Sequence, residues 1–274
     1  MKQYTSLYFV GAGGIGMSAL VRYFLAKGYK VAGYDRTQSP LTTELKTEGL
    51  EIVYEESVES IPDYCRNPET TLVVYTPAIP ASHAGLVYFR EHGFRVVKRA
   101  ELLGLITQSS KGLCFAGTHG KTTTSSMAAH IFHESPIGCN AFLGGILRNY
   151  NSNLILSEQS PFTVIEADEY DRSFHWLHPY MAVVTATDPD HLDIYGTEEA
   201  YLESFARFTS LIQPGGCLIM KKGIKLVPSV KENVKIYTYS ARDGGDFHAG
   251  NIRIGDGTIV FDFVMPEGSV ADIE

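Results

Sequence analysis

The chain has 274 residues, of which 44% are hydrophobic and 20% charged, and its formal net charge is −8. This composition is typical of a globular protein, and the length predicts two domains or one large one. A general nucleic-acid-binding protein normally presents a basic face, so the acidic balance argues against nucleic acid as a partner. The four cysteines are widely spaced without a C-x-x-C pair. This spacing favours a reducing compartment over a disulfide framework or a zinc ribbon.

The apolar stretches are too short to span a membrane. The longest, from Leu7 to Val21, falls short of the roughly 18 to 20 residues that a spanning helix needs, and it is rich in glycine. Its first four residues lead directly into a glycine loop, which indicates a strand rather than a signal peptide. We therefore predict a cytoplasmic protein without membrane insertion.

The first third of the chain alternates predicted strands and helices. Strands are predicted at Leu7–Val10, Val31–Tyr34, Leu72–Tyr75 and Arg95–Val97. Helices are predicted directly after the first glycine loop and near Leu41–Glu48, Ser82–His92 and Arg99–Thr107. This alternation predicts an α/β fold with a mainly parallel sheet, which binds ligands at the carboxyl ends of its strands. We assign residues 1–108 to a Rossmann-like domain.

A stretch of small and polar residues at 108–112 predicts the domain boundary, and a second α/β unit follows over residues 109–274. Its predicted strands are Leu113–Ala116, Phe162–Ile165, Met181–Thr185, Cys217–Met220, Lys235–Tyr239, Gly250–Ile254 and Thr258–Val264. Its predicted helices are Lys121–His133 and Thr197–Leu211, with Thr197 as the N-cap of the second.

The first glycine loop has the pattern G-x-G-x-x-G at Gly11, Gly13 and Gly16, between a predicted strand and a predicted helix. Such glycines allow a tight turn and a close approach of a diphosphate to the N–H groups of a helix N-terminus. Asp35 ends the next strand and is a candidate acceptor for hydrogen bonds from a sugar or a base. The motif predicts nucleotide-diphosphate binding, with NAD as the default ligand. The alternative is a turn that only packs the strand on the helix.

A second glycine loop also follows a predicted strand and opens a helix. It consists of Gly117, Thr118, His119, Gly120, Lys121, Thr122 and Thr123. Backbone N–H groups of such a P-loop surround phosphate oxygens, the lysine reaches the β and γ phosphates, and the first threonine hydroxyl holds Mg²⁺. The loop is the shorter G-x-x-G-K-T form, since Phe115 stands where the common motif has its first glycine. Two phosphate-binding loops on consecutive units predict two nucleotides, one of them ATP.

Acidic and histidine residues follow two further predicted strands. Glu166 is the first of four acids within six residues, and a carboxylate at this place suits Mg²⁺. His191 stands between Asp190 and Asp193 and is a candidate metal ligand or phosphate contact. A solvated acidic loop and a structural histidine are the alternatives.

These motifs together resemble the Mur ligases of peptidoglycan synthesis. The resemblance rests on the second glycine loop, on Glu166-Ala167-Asp168-Glu169 and on Asp190-His191-Leu192-Asp193. The start of the chain resembles the branch of the family that adds L-alanine to UDP-N-acetylmuramate. Further matches to that branch are Gly11–Ser18, Arg99-Ala100-Glu101 and Leu143-Gly144-Gly145.

The resemblance implies an ATP-dependent amide ligase with UDP-N-acetylmuramate and L-alanine as substrates and with Mg²⁺. The sugar carboxylate would attack the γ-phosphate of ATP, and the alanine amine would then displace phosphate from the acyl phosphate. In the family a Rossmann-like domain binds the UDP-sugar, a P-loop ATPase-like central domain binds ATP, and a third domain helps to bind the amino acid. We expect this chain to be a fragment that lacks the third domain and has no useful ligase activity alone.

The resemblance also implies a role for each motif. Lys121 and His119 are the expected catalytic residues, with His119 facing the sugar carboxylate or the γ-phosphate. ATP is expected to bind residues 117–123. The expected metal ligands are Thr122, Glu166 and His191. The expected contacts of the UDP-sugar are Gly11, Gly13, Gly14, Gly16, Asp35, Thr76 and Arg99.

The sequence departs from the family pattern at two points. No lysine occurs between His191 and Met220, which puts a carbamylated lysine ligand in doubt. Ala186 stands where the family usually has asparagine. Three alternative functions stay open: a recycling ligase that attaches a peptide to the same sugar nucleotide, an NAD-dependent oxidoreductase, and a non-catalytic nucleotide-binding module.

Overall fold

The computed structural model describes residues 3–242, 244–255 and 257–274. Internal contacts divide the chain into two compact units. The first joins the residues up to Ser110 with Ser126–Ile165, and the second joins Lys111–Ser125 with Glu166–Glu274. The functional division at residues 108 and 109 stays a prediction.

The elements follow one another in an α/β sequence. The strands are β1 (Ser6–Val10), β2 (Lys30–Tyr34), β3 (Glu51–Val53), β4 (Thr71–Tyr75), β5 (Arg95–Lys98), β6 (Lys111–Ala116), β7 (Asn140–Leu147), β8 (Ser152–Ile155), β9 (Phe162–Glu166), β10 (Pro179–Val184), β11 (Cys217–Lys221), β12 (Lys235–Ser240), β13 (Phe247–Gly255), β14 (Thr258–Met265) and β15 (Gly268–Ile273). The α-helices are α1 (Ile15–Ala26), α2 (Pro40–Thr47), α3 (Ala84–Glu91), α4 (Arg99–Gln108), α5 (Lys121–Glu134), α6 (Leu192–Tyr195) and α7 (Glu198–Ser210). Short 3₁₀ segments lie at Asp63–Cys65 and Tyr170–Trp176.

The first unit contains a fully parallel sheet with the strand order β3-β2-β1-β4-β5. Strands β1, β2 and β4 are buried along nearly their whole length, as their continuous apolar runs predict for a sheet covered on both faces. The strand order reverses between β1 and β4. In such doubly wound sheets the ligand lies at the carboxyl ends of the strands beside this reversal. The predicted Rossmann-like α/β class is confirmed.

The helices of the first unit agree with the sequence pattern. Helix α2 starts from a capping box, in which the Ser39 side chain accepts a hydrogen bond from the N–H of Thr42 and Pro40 takes the first helical position. After α1, Gly28 adopts φ +80°, a conformation that favours glycine. In the part of the chain that the structure describes, no helix has both the length and the apolar character to cross a membrane.

A second group of strands belongs to the first unit. Strand β7 pairs in parallel with β9 and antiparallel with β8. The Tyr23 ring of α1 packs against Phe142 of β7 with centroids 5.1 Å apart, and Asn153 Nδ2 donates to the carbonyl of Ile15 at 2.5 Å. The sequence pattern predicts no strand between residues 133 and 162, because glycine and asparagine interrupt the apolar alternation there. Strand pairing and packing on α1 define β7 and β8 instead.

The second unit has the strand order β15-β14-β13-β12-β11-β10-β6. Strands β6, β10, β11 and β12 pair in parallel, β13 joins β12 in parallel, and β13, β14 and β15 then pair antiparallel. Helix α7 is capped as predicted, since the Thr197 side chain accepts the N–H of Ala200 at 3.2 Å. Its buried Phe205 and Phe208 lie with ring centroids 5.2 and 4.9 Å from that of Phe174.

All four cysteines are free thiols, and three of them are buried. Burial raises the pKa of Cys65 to about 12 and that of Cys139 to about 11. These thiols are therefore protonated at neutral pH and poor nucleophiles.

Candidate nucleotide-binding sites

The first glycine loop lies at the strand-order reversal of the parallel sheet. Gly11 follows β1 with φ +90°, and its N–H donates to the carbonyl of Tyr34 at 2.8 Å. A Cβ added to Gly11 would lie 2.6 Å from Cγ2 of Thr76, which follows β4. Backbone conformation and space both require glycine at this position. The structure thus brings Thr76 to the first loop, and its contact with the UDP-sugar stays a prediction.

The other end of this loop lies beside Arg99. A Cβ on Gly16 would come 2.5 Å from Nη1 of Arg99, the first residue of α4. The guanidinium group therefore lies against the start of α1, where the first N–H groups of a helix have no intrahelical acceptor. A cation and a helix N-terminus at one place suit the two charges of a diphosphate.

Asp35 shapes the first loop, a role that the sequence pattern did not reveal. Its Oδ2 accepts the N–H of Gly13 at 2.7 Å, and its Oδ1 accepts the N–H of Thr37 at 3.0 Å. A Cβ on Gly13 would lie 2.6 Å from Cγ2 of Thr42 and 2.9 Å from Oδ2 of Asp35. Gly13 is thus required by packing within the protein, and a contact of Asp35 with a sugar stays a prediction.

Gly14 differs from the other glycines of this loop. It is exposed, it adopts φ −72° as the N-cap of α1, and an added Cβ would meet no protein atom within 4 Å. A side chain at Gly14 therefore probes the space over the loop without disturbing the fold.

The second glycine loop connects β6 to α5 and is closed onto the residues that follow β10. Gly117 has φ +137°, and a Cβ there would lie 2.8 Å from the backbone nitrogen of Ala186. The Thr185 hydroxyl donates to the carbonyl of His119 at 2.5 Å. Gly120 also has a positive φ, of +84°. The loop conformation is therefore fixed by glycine and by the strand beside it.

The N–H and the hydroxyl group of Thr118 both form hydrogen bonds to residues outside the loop. Its N–H donates to the carbonyl of Ala186 at 3.1 Å, and its hydroxyl donates to the carbonyl of Asp188 at 2.7 Å and contacts the Tyr201 hydroxyl at 2.9 Å. We infer that Thr118 contributes to the shape of the loop. The backbone of Ala186 supports the loop, although the asparagine side chain of the family pattern is missing.

Lys121 begins α5 and is paired with a carboxylate that the sequence analysis did not select. Its Nζ donates to the carbonyl of Gly117 and to Oε1 of Glu169, both at 2.7 Å. The Glu169 side chain is only 1% exposed. Burial raises the pKa of this carboxyl group, and the Lys121 ammonium group acts against that rise. The only feature of the sequence that pointed to Glu169 was its position in the same acidic segment as Glu166.

Thr122 and Glu166 are brought together as predicted. The Thr122 hydroxyl donates to Oε1 of Glu166 at 3.0 Å. Mg²⁺ prefers oxygen ligands such as these two side chains. Proteins commonly bind this ion through one or two carboxylates together with substrate phosphates. Within residues 3–242, 244–255 and 257–274, no three His, Cys, Asp or Glu side chains gather as a possible metal site. The pair therefore fits Mg²⁺ that arrives with a nucleotide.

The two histidines of the predicted site are less closely defined. His191 has φ +52° at the start of α6, and its N–H donates to Oδ1 of Asp190 at 2.7 Å. Its ring lies edge-on to Tyr170, with centroids 5.3 Å apart. His119 is exposed in the loop. The roles of both histidines stay predictions, as does that of the exposed Thr123.

Two family models match the chain. One, described as the Mur ligase family catalytic domain, matches residues 6–111, and the other, described as the Mur ligase middle domain, matches residues 115–274. The chain belongs to the Mur ligase family. The resemblance in the glycine loops and the acidic motifs is therefore confirmed at the level of the family.

Curated relatives of this Mur ligase chain include the UDP-N-acetylmuramate–L-alanine ligases of Parabacteroides distasonis and Phocaeicola vulgatus. They are 66% and 65% identical to it over 274 and 269 residues. The matches cover 100% and 98% of this chain but only 59% and 58% of the relatives. The chain thus spans about three fifths of the length of these relatives.

Solved Mur ligase structures share the fold. The UDP-N-acetylmuramate:L-alanyl-gamma-D-glutamyl-meso-diaminopimelate ligase from Neisseria meningitides matches with a TM-score of 0.82 at 20% identity, over 98% of this chain and 87% of that chain. The UDP-N-acetylmuramate–alanine ligase from Thermotoga maritima matches with a TM-score of 0.78 at 23% identity, over 98% and 60%. A peptide ligase and an alanine ligase have this fold in common, so the fold does not decide the acceptor amine.

Proposed function

We propose that this chain is the nucleotide-binding part of an ATP-dependent ligase that adds L-alanine to UDP-N-acetylmuramate. The observation that carries the proposal is the pair of glycine loops, each at the carboxyl end of a parallel strand and each in a separate unit. The 66% identity to a ligase of that name supports L-alanine as the acceptor.

In this proposal the first loop binds the diphosphate of UDP-N-acetylmuramate. The N–H groups at the start of α1 and the guanidinium group of Arg99 neutralise its charge, while Thr76 borders the loop. Residues 1–108 form the UDP-sugar-binding domain and residues 109–274 the ATP-binding domain.

The second loop binds ATP. Backbone N–H groups of the loop surround the phosphates, and Lys121 donates to the β and γ oxygens. Attack of the sugar carboxylate on the γ-phosphate, and then of the alanine amine on the acyl phosphate, both gather negative charge that Lys121 stabilises. Thr122, Glu166 and His191 are the proposed ligands of Mg²⁺, which supplies further charge neutralisation when bound.

The proposal is tested by separate calorimetric titrations of the 274-residue chain with UDP-N-acetylmuramate and with MgATP. Each ligand is expected to bind at one site and to bind equally well when the other is present. Binding of NADH without binding of the UDP-sugar would support the oxidoreductase instead. With the full-length protein, ADP release is expected with L-alanine and not with a tripeptide. The opposite preference would assign it to the recycling ligases.

Glu166→Gln is expected to raise the Mg²⁺ concentration needed for half-maximal ATP binding by about tenfold. The amide keeps the shape of the side chain but loses the charge that attracts a divalent cation. The measurement is ATP affinity over a series of Mg²⁺ concentrations, with the exposed Glu158→Gln as the control. An unchanged Mg²⁺ dependence would return Glu166 to the solvated-loop alternative.

A further inference from the structure

Glu169 is a buried carboxylate that the proposed chemistry does not use. The phosphate contact is assigned to Lys121 and the metal contact to Thr122 and Glu166, yet the 1% exposed Glu169 side chain lies 2.7 Å from Lys121 Nζ. Its second oxygen, Oε2, is buried without a hydrogen-bond partner in the described part of the chain. Removing a carboxylate from water costs free energy unless a cation or hydrogen bonds compensate it. There must therefore be a reason for the burial of Glu169 beside Lys121.

The geometry of the lysine supplies this reason. An ammonium group has three N–H donors and no acceptor. One donor of Lys121 is directed to Oε1 of Glu169 and a second to the carbonyl of Gly117. These two contacts leave one donor, and they fix the direction in which it points.

Hydrogen bonds within the second unit hold the backbone around Glu169 in place. The carbonyl of Glu169 accepts the Tyr195 hydroxyl at 2.5 Å and the N–H of Arg172 at 2.9 Å. The N–H of Ala167 donates at 2.9 Å to the carbonyl of Phe115 in β6, the strand that leads into the glycine loop. Glu169 therefore has little freedom to follow the lysine, and the lysine is held by the carboxylate.

We propose that Glu169 is a positioning residue that holds the Lys121 ammonium group against Gly117 and aims its remaining N–H at the phosphates of ATP. This rests on the proposed binding of ATP to the second loop. A lysine side chain that is ordered before the ligand arrives loses less conformational entropy on binding. The effect of Glu169 is therefore on affinity and geometry, although it touches neither substrate.

The first test is made without nucleotide. It measures by NMR, on ¹⁵N-lysine-labelled protein, the rate at which the ammonium protons of Lys121 exchange with water. Slow exchange is expected in the wild type, at least about tenfold faster exchange in Glu169→Gln, and no change in Glu158→Gln. Fast exchange in the wild type, or equal rates in wild type and Glu169→Gln, would overturn the proposal. The wild-type measurement needs no variant to fold.

The second readout is the Kd of MgATP and of UDP-N-acetylmuramate, together with the Tm. Glu169→Gln is expected to weaken MgATP binding by about tenfold and to leave the UDP-sugar affinity unchanged, because the amide still accepts a hydrogen bond but no longer holds the charge. Tighter ATP binding would show that Glu169 competes with the phosphates, and equal weakening of both ligands would show a merely structural role. Either outcome overturns the proposal. A slowly exchanging ammonium group in a wild-type protein that binds no ATP would refute the proposed function and the aim at ATP phosphates, while the hold of Glu169 on Lys121 would stand.

Discussion

Lys121→Ala is expected to weaken ATP binding by at least about tenfold and to leave UDP-N-acetylmuramate binding within about twofold of wild type. A charge-assisted hydrogen bond to phosphate contributes about 1.5–3 kcal/mol, which corresponds to about 10- to 150-fold in affinity. The selectivity follows because the two glycine loops belong to separate units. Titration of each ligand by calorimetry measures both effects. Equal loss of both ligands would contradict the assignment of two sites.

The ion pair with Glu169 requires a matched control for this variant. Removing the lysine leaves a 1% exposed carboxylate without its partner, a change that typically costs about 3–5 kcal/mol of stability. The double variant Lys121→Met with Glu169→Gln removes both charges and keeps most of the volume. We expect it to be more stable than Lys121→Ala and to bind ATP as weakly as that variant.

The stability of Lys121→Ala is expected to depend on pH. Burial raises the pKa of Glu169 in the folded protein, and without the opposing ammonium group that rise is larger. The folded state then binds a proton more tightly than the unfolded state, so the stability deficit grows as the pH rises above the range in which an exposed glutamate titrates, about 4.3. Denaturant unfolding at several pH values measures this, and a deficit that shrinks toward high pH would contradict the assigned pairing.

Gly14→Val is expected to weaken UDP-N-acetylmuramate binding by more than about tenfold, or at least about 1.4 kcal/mol, and to leave ATP binding unchanged. Gly14 caps α1, whose first N–H groups are the proposed diphosphate contacts, and a branched side chain there occupies the space that a phosphate needs. Calorimetric titration of the two ligands measures the effect.

The structure makes Gly14 a sharper probe than its neighbour in the motif. A side chain at Gly13 would collide with Thr42 and Asp35, so its effect would combine folding with ligand approach. The control is Gly255→Val in β13, where an added Cβ also meets nothing within 4 Å. Normal UDP-sugar binding by a folded Gly14→Val protein would mean that the first loop is only a packing turn.

The sequence alone predicted the elements that depend on local pattern. Continuous apolar runs marked β1, β2 and β4, because each strand is buried on both faces, and helical spacing after Gly16 marked α1. The glycine motifs identified both loops, since the need for positive φ or for close approach is a property of single positions. The cap of α7 at Thr197 was predictable for the same local reason.

Contacts between distant residues were decided only by the tertiary structure. Arg99 lies beside Gly16 because α4 begins at the edge of the sheet where the loop after β1 also lies. The Asp35 carboxylate, at the end of β2, accepts the N–H of Gly13, which follows β1. The pairing of Lys121 with Glu169 depended on the burial of that carboxylate, which a run of acids in the sequence does not reveal. Local periodicity reports the face on which a side chain lies, whereas its partner depends on the path of the whole chain and on which polar groups are withdrawn from water.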